Sequence, residues 1–272
     1  MYTMNSANSI PPVIKNLLII NGLMFLLSVT LDSRGISMTH LFGLFYFGSD
    51  AFRIWQPVTH LFMHASLTHL LFNMFSLWMF GRILENVWGA RRFLTYYLIT
   101  GLGAAALHTL VNHISISGLE HAIEAFRNTP SPESFRELVS SHVRNLNPSI
   151  HDFINSWQES PDSALYLNEA NSMLNTYLSQ VMNIPTVGAS GAVFGILLAF
   201  GMLFPDARLM LLFPPIPIKA KWFVLGYGAV ELYLGIMQPG SQVAHFAHLG
   251  GMIFGYFLIR YWRSQRYRRD FF

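Results

Sequence analysis

Residues 188–204 read GASGAVFGILLAFGMLF and contain no charged side chain. A helix needs about 20 residues to cross the hydrocarbon core of a bilayer, and a stretch of this kind is typical of a membrane span. The stretch opens with a serine between small residues, although polar groups are costly inside a membrane. It therefore predicts a membrane fold and, at its beginning, a candidate functional group.

Five further apolar segments flank this one, so we predict an all-α, polytopic membrane protein with a bundle of six transmembrane helices. The six predicted spans are residues 13–31, 67–85, 93–111, 189–204, 222–237 and 245–262. No small-residue cleavage site leads from the first segment into a soluble domain, so we expect that segment to be retained.

The composition excludes several classes of protein. Of the 272 residues, 52% are hydrophobic and 11% are charged, whereas about a quarter of an average soluble domain is charged. An ordinary water-soluble globule is therefore excluded. The chain contains no cysteine, which also excludes disulfide scaffolds, thiol catalysis and cysteine-based metal sites.

Residues 112–187 separate the third span from the fourth and differ from both in composition. They hold eight acidic residues and three basic ones. Ser131 followed by a proline is typical of a helix start, and Ser160 repeats the pattern. Apolar residues such as Phe135 recur at helical spacing. The sequence therefore predicts an acidic, helical, extracytoplasmic insertion.

Lysine and arginine set the predicted orientation, because positively charged flanks stay on the cytoplasmic side. Twelve of the 17 lie on the side that holds both termini, so we expect both termini in the cytoplasm, with a bacterial inner membrane as the location. In this organisation residues 1–111 form the first three transmembrane helices. Residues 112–187 form the insertion, and residues 188–272 form the last three helices and a basic cytoplasmic tail. We expect the basic tail to fix the orientation of the chain in the membrane and to contact anionic lipid. The tail is therefore explained without nucleic acid, and no nucleic-acid partner is expected.

Polar groups within the spans are the candidates for function, because each one is expensive in lipid. Three clusters are predicted at the outer level of the bundle. They are His60, His64, His69 and Asn73 around the second span, Gly188 to Gly191 at the head of the fourth, and His245 and His248 in the sixth.

Ser190 is the candidate nucleophile. Gly188 and Gly191 let the backbone turn sharply into a helix, whose first N–H groups lack intrahelical acceptors. Such donors suit the oxyanion that develops during acyl transfer. A serine hydroxyl needs a base, and His248 is the candidate for that role.

Small residues are expected to bring these two groups together. Gly251 and Gly255 follow His248 at three and seven residues on one helix face, and Gly191 and Gly195 form a similar face on the fourth span. Such faces let membrane helices approach closely. We therefore expect them to place the imidazole within hydrogen-bond reach of the serine.

The remaining polar groups have narrower predicted roles. His69 and Asn73 share a helix face, and both can donate hydrogen bonds to an oxyanion. No carboxylate is expected in the outer half of the spans, so a Ser-His dyad rather than a triad is predicted. Glu85 and Glu231 are interpreted as structural hydrogen-bond partners.

Taken together, these residues resemble the rhomboid family of intramembrane serine proteases. The motifs that carry the resemblance are His64-x4-His69-x3-Asn73, Glu85-x3-Gly89, Gly188-Ala189-Ser190-Gly191 and His248-x2-Gly251-x3-Gly255. The resemblance covers the six-span core, but not the insertion or the extreme termini.

The resemblance implies that Ser190 is the nucleophile and His248 the general base. It also implies that His69, Asn73 and the backbone amide of Ser190 stabilise the oxyanion. Phe194 is implied to pack against the catalytic imidazole, and no cofactor is implied. The implied substrates are transmembrane proteins in the lipid bilayer. Two features depart from the family: the long insertion, and Gln56 where many members have arginine.

Two alternatives stay open. One is a metal site built from His60, His64 and His69 with His245 and His248, which is disfavoured because no HExxH motif and no acid at that depth accompany the histidines. We therefore predict no metal. The other alternative is a non-catalytic rhomboid-like protein that binds or escorts membrane proteins. Such a protein has no need of both Ser190 and His248. The oligomeric state is not predicted.

Overall fold

A computed structural model describes residues 10–143, 147–210, 215–238 and 243–269, with backbone alone for 266–269. Arg144 of the predicted insertion and the tail beyond Arg269 lie outside the described residues. The described chain is mainly helical. Its helices are α1 (Pro12–Asp32), α2 (Met38–Phe42), α3 (Gln56–Thr59), α4 (Leu67–Ser76), α5 (Arg82–Trp88), α6 (Ala90–Asn128), α7 (Pro132–His142), α8 (Ser149–Glu159), α9 (Ala164–Met182), α10 (Ser190–Leu203), α11 (Ala220–Met237) and α12 (His245–Arg269).

Three helical segments of the described chain are long and apolar enough to cross a membrane. They are α1, the continuous helix Leu67–Trp88 that joins α4 to α5 through a π-helical turn, and α6. The fourth predicted span, α10, is apolar but only 14 residues long, which is about 21 Å at 1.5 Å per residue. The membrane character is thus supported, whereas the count of six spans stays a prediction.

The chain divides into two compact units. The first unit comprises Met1–Phe45, Ala51–Thr109 and Pro185–Phe272, and the second comprises Tyr46–Asp50 and Leu110–Ile184. In the first unit α10 is enclosed by its neighbours, since ten of its 14 residues are buried. A helix surrounded in this way holds its first residue, Ser190, in a fixed place.

A buried carboxylate fixes the start of α1. The two oxygens of Glu85 accept hydrogen bonds from the backbone N–H groups of Val13 and Ile14, each at 2.9 Å. These N–H groups have no acceptor within the helix, and the negative charge faces the positive end of the helix dipole. The structural role predicted for Glu85 is confirmed.

The loop between α1 and α4 is anchored by Gln56, which is fully buried. Its side-chain oxygen accepts hydrogen bonds from the backbone N–H groups of Phe45 at 3.3 Å and Arg53 at 3.1 Å. Its amide nitrogen donates to the carbonyl oxygen of Ala51 at 2.9 Å. A neutral amide, which both accepts and donates, therefore holds this loop without the arginine common in the family.

The second unit has a hydrophobic core of its own. Phe135 and Trp157 are each 1% exposed, and Leu138 and Val139 are also buried. Hydrogen bonds tie the short segment Tyr46–Asp50 to the rest of this unit. The hydroxyl of Tyr46 lies 2.8 Å from Nδ1 of His113, and Ser49 donates to the side-chain oxygen of Asn183 at 2.6 Å.

The two predicted helix starts in this unit have different outcomes. Ser131 caps α7 with its side chain, and a proline follows at the first helical position, so that start is confirmed. The start predicted at Ser160 is wrong. Ser160 ends α8, and the N–H of Ser163 donates to its carbonyl oxygen in a turn before α9 begins at Ala164.

Helix α6 continues past Val111, the predicted end of the third span, into the predicted insertion. The helix continues to Asn128 and has 39 residues, about 58 Å at 1.5 Å per residue. Residues 112–128 contain no proline that would break the helix, and their single glycine, Gly118, lies within it.

The described chain is mainly helical, as predicted, and a short antiparallel ribbon is an addition that the prediction did not include. Strand β1 (Arg208–Met210) pairs with β2 (Pro217–Lys219) before α11. Prolines between the strands disfavour a continuous helix. At the base of the ribbon Asp206 accepts hydrogen bonds from Lys219 at 3.0 Å and Lys221 at 3.1 Å. These bonds hold the pKa of the Asp206 carboxyl below its usual range.

Candidate active site

The chain turns sharply just before α10. Gly188 has φ +119°, a region that favours glycine, and its N–H donates to the carbonyl oxygen of His60 at 2.9 Å. A Cβ at this position would lie 2.6 Å from Cε1 of His69. The imidazole of His69 thus packs against the bare backbone of Gly188, two residues before Ser190.

Ser190 is the first residue of α10. Its backbone N–H is therefore one of the helix-end groups with no acceptor inside the helix. Its Oγ lies 2.9 Å from Nε2 of His248 on α12. This is the distance of a direct hydrogen bond. The structure thus brings together the two residues predicted as nucleophile and base.

The close approach of α10 and α12 depends on Gly251. A Cβ on Gly251 would overlap the carbonyl oxygen of Gly191, and a Cβ on Gly195 would lie 3.0 Å from the carbonyl oxygen of Gly251. We expected Gly255 to contribute to this approach, but it faces α6 instead. A Cβ there would overlap the hydroxyl of Tyr96 on α6.

The ring of Phe194 covers one face of the His248 imidazole. The ring centroids are 4.1 Å apart, and the planes differ by 5°. Tyr227 on α11 packs in turn against Phe194, with centroids 4.8 Å apart. His248 is 8% exposed, so its ring is held by contacts on its face as well as at its nitrogens.

A carboxylate lies beside this histidine, contrary to our expectation. Oε2 of Glu231 on α11 is 2.9 Å from Nδ1 of His248 and 2.7 Å from Nδ1 of His245. The prediction of a histidine without a carboxylate partner is therefore wrong. The reason is that Glu231 belongs to a different helix, 17 residues from His248, and the sequence does not show which way it faces. Its position within a predicted span was the available signal.

The other two predicted oxyanion donors, His69 and Asn73, both lie on α4, one helical turn apart. The side-chain nitrogen of Asn73 donates to the carbonyl oxygen of His69 at 3.0 Å. His69 itself packs against Gly188, as described above, and its ring centroid is 5.1 Å from that of His64. Roles for His69 and Asn73 in oxyanion stabilisation stay predictions.

The histidines do not assemble into the metal site considered above. Nδ1 of His60 bonds to the carbonyl oxygen of Gln56 at 3.0 Å. Among the described residues, the group of side chains suited to a metal is instead Glu231, His245 and His248, whose ligand atoms lie within 4.8 Å of one another. An acid does stand at this depth, which corrects one of the arguments against a metal.

The chain is similar to known rhomboid proteins. A family model described as the Rhomboid domain matches residues 51–124 and 164–265, more than half of the chain. A mitochondrial rhomboid protein 1 of Saccharomyces cerevisiae is 30% identical over 116 residues, 39% of this chain and 33% of that protein. An uncharacterised mitochondrial rhomboid protein of Schizosaccharomyces pombe is 26% identical over 206 residues, 75% of this chain and 49% of that protein.

A bacterial protein named rhomboid protease GlpG, from Yersinia pestis, is 29% identical over 80 residues, 29% of each chain. The chain thus spans less than half the length of each of these three relatives. Because two of them are named mitochondrial, the names do not favour the predicted bacterial inner membrane.

Proposed function

Because the chain belongs to the rhomboid family, we propose that it is an intramembrane serine endopeptidase. Its proposed substrates are membrane-anchored proteins, cut in or near their transmembrane segments. The observation that carries this proposal is the 2.9 Å hydrogen bond between Ser190 Oγ and His248 Nε2 at the N-terminus of α10. The name of one bacterial relative, a rhomboid protease, supports it.

The proposed reaction has two halves. In the first half, Oγ of Ser190 attacks the scissile carbonyl carbon while Nε2 of His248 takes the hydroxyl proton. The resulting oxyanion accepts a hydrogen bond from the backbone N–H of Ser190, with His69 and Asn73 as further donors. His248 then gives its proton to the leaving amine, and an acyl-enzyme forms. In the second half, water releases the acyl group, with His248 acting again as base.

The finer membrane arrangement is part of the proposal. We place six spans in the bilayer, with α10 enclosed by its neighbours. Both termini lie on the side that holds most of the lysine and arginine residues. A peptide bond inside a regular helix is shielded by the helix, so a substrate must open into an extended segment before it is cut.

Proteoliposomes that hold the full chain and a membrane-anchored substrate test this proposal. One substrate carries two glycines near the outer end of its span, and the other has an uninterrupted leucine-rich span. We expect both substrates to be cleaved. The cleavage rate of the glycine substrate is expected to be at least about tenfold higher, because each glycine weakens the helix by about 1 kcal/mol.

Mass spectrometry of the products locates the cut within or beside the span. Stable binding of the substrate without any product contradicts the protease and supports the escort function. Equal rates for the two substrates contradict the requirement for local unfolding. A soluble peptide with the same glycine segment serves as the control for membrane anchoring.

A further inference from the structure

We propose that Glu231 is a positioning residue for His248, so that Ser190, His248 and Glu231 act as a triad. This inference rests on the proposed function and names a third member of the same site. The carboxylate lies 2.9 Å from His248 Nδ1, while the opposite ring nitrogen is 2.9 Å from Ser190 Oγ. The imidazole therefore lies between a carboxylate and a hydroxyl.

The hydrogen bond to Glu231 fixes which ring nitrogen of His248 carries the proton. An ionised carboxylate only accepts hydrogen bonds, so Nδ1 of the imidazole has to donate. In neutral His248 this leaves Nε2 unprotonated and directed at Ser190. That is the tautomer a general base needs. When the serine proton is transferred, the negative charge of Glu231 stabilises the imidazolium that forms.

His245 holds the carboxylate in place. Its Nδ1 lies 2.7 Å from the same oxygen, Oε2, that His248 contacts. Glu231 is 4% exposed and His245 is 6% exposed. A carboxylate this buried is costly unless donors surround it, and here both of the donors described are imidazole rings at the site.

A comparison with Glu85 distinguishes a carboxylate that positions the proposed base from one that only stabilises the fold. Glu85 is equally buried, at 3% exposed, but it bonds to backbone N–H groups at the start of a helix. Glu231 bonds instead to the side chain that is the proposed base. The two carboxylates therefore have different expected effects when each is replaced by its amide.

The matched variants Glu231→Gln and Glu85→Gln test the proposal in the full chain. For each variant, kcat and KM are measured per active site, together with the melting temperature. We expect Glu231→Gln to lower kcat about 100-fold with KM within about threefold of wild type, because Glu231 acts through His248 and the base loses its orientation and countercharge. Glu231→Asp, which keeps the charge, is expected to recover part of kcat.

Glu85→Gln is expected to lower the melting temperature and leave kcat per folded molecule unchanged. If Glu231→Gln behaves in the same way as Glu85→Gln, the proposal is overturned. If Glu231→Gln does not fold, NMR of wild-type protein with labelled histidine carries the test. An Nδ1 proton of His248 bonded to a carboxylate is expected, and an unprotonated Nδ1 overturns the proposal.

Two outcomes distinguish this inference from its rivals. If Ser190→Ala cleaves as wild type does, the proposed function fails, whatever Glu231 does. If purified protein contains zinc in stoichiometric amount and loses kcat on chelation, the cluster of Glu231, His245 and His248 is a metal site and the triad is overturned. With an active Ser190, no bound zinc and a slow Glu231→Gln, the triad stands.

Discussion

Substituting alanine for Ser190 or for His248 is expected to lower turnover of a membrane-anchored substrate by about 10⁴-fold. Ser190→Ala removes the only atom of that side chain that attacks the carbonyl. His248→Ala leaves the hydroxyl without a base, and general-base catalysis is worth about 10²- to 10⁴-fold. The measurement is kcat per folded molecule, in proteoliposomes, for each variant and for the double variant.

The double variant gives the sharper result. Residues that act as one unit are not additive, so we expect Ser190→Ala with His248→Ala to be no slower than either change alone. The melting temperature of Ser190→Ala controls for folding, since this change removes only one hydroxyl oxygen. Multiplicative effects of the two changes would contradict a shared role in one reaction step.

Gly251→Ala is expected to prevent folding or to lower stability by about 3 kcal/mol or more, at the upper end of overpacking effects. The added Cβ would overlap the carbonyl oxygen of Gly191, which is backbone and has no rotamer by which to move aside. The helices α10 and α12 would have to separate. Because the distance between Ser190 and His248 depends on this contact, a shift of about 1 Å is expected to cost about 100-fold in kcat as well.

Gly226→Ala is the matched control for this prediction. Gly226 lies within α11, and a Cβ there meets no atom within 4 Å. Alanine favours a helix over glycine by about 1 kcal/mol, so the control is expected to be as stable as wild type or slightly more so. Thermal unfolding in detergent measures both variants. Equal melting temperatures for the two would show that the close approach of α10 and α12 does not hold the bundle together.

The sequence was most informative where function depends on residues close together in the chain. Glycines on each side of Ser190 indicate a turn into a helix, and the structure has Gly188 in the left-handed region at that point. Gly251 follows His248 by one turn, so both lie on the face that packs against α10. Local patterns of this kind are readable without knowledge of the tertiary structure.

Contacts between distant segments were not readable in the same way. Glu231 lies on α11, and an apolar helix with one acid gives no indication of which neighbour the acid faces. Nor does the sequence show which way the side chain of each histidine at 60, 64 and 69 faces. In the structure His60 turns to its own loop, where it bonds to Gln56. Both side-chain directions are decided by packing, not by local sequence.

Neither the continuation of α6 beyond the predicted third span nor the ribbon before α11 is readable from the sequence. Hydropathy marks where a helix leaves the apolar range, but not where its hydrogen bonding ends, and α6 continues to Asn128 as a polar helix. Strands β1 and β2 have three residues each, too few for an alternating pattern to be distinguished from a loop.

The most direct test of the central claim is labelling of detergent-purified protein with a fluorophosphonate probe. Such a probe reacts with a serine whose hydroxyl is activated by a base. We expect one probe per folded chain, located at Ser190 by mass spectrometry, with no labelling of Ser190→Ala and sharply reduced labelling of His248→Ala. Labelling that persists in Ser190→Ala, or folded wild-type protein that takes up no probe between about pH 6 and pH 9, spanning ordinary histidine titration, would contradict the Ser190–His248 pair as the reacting centre.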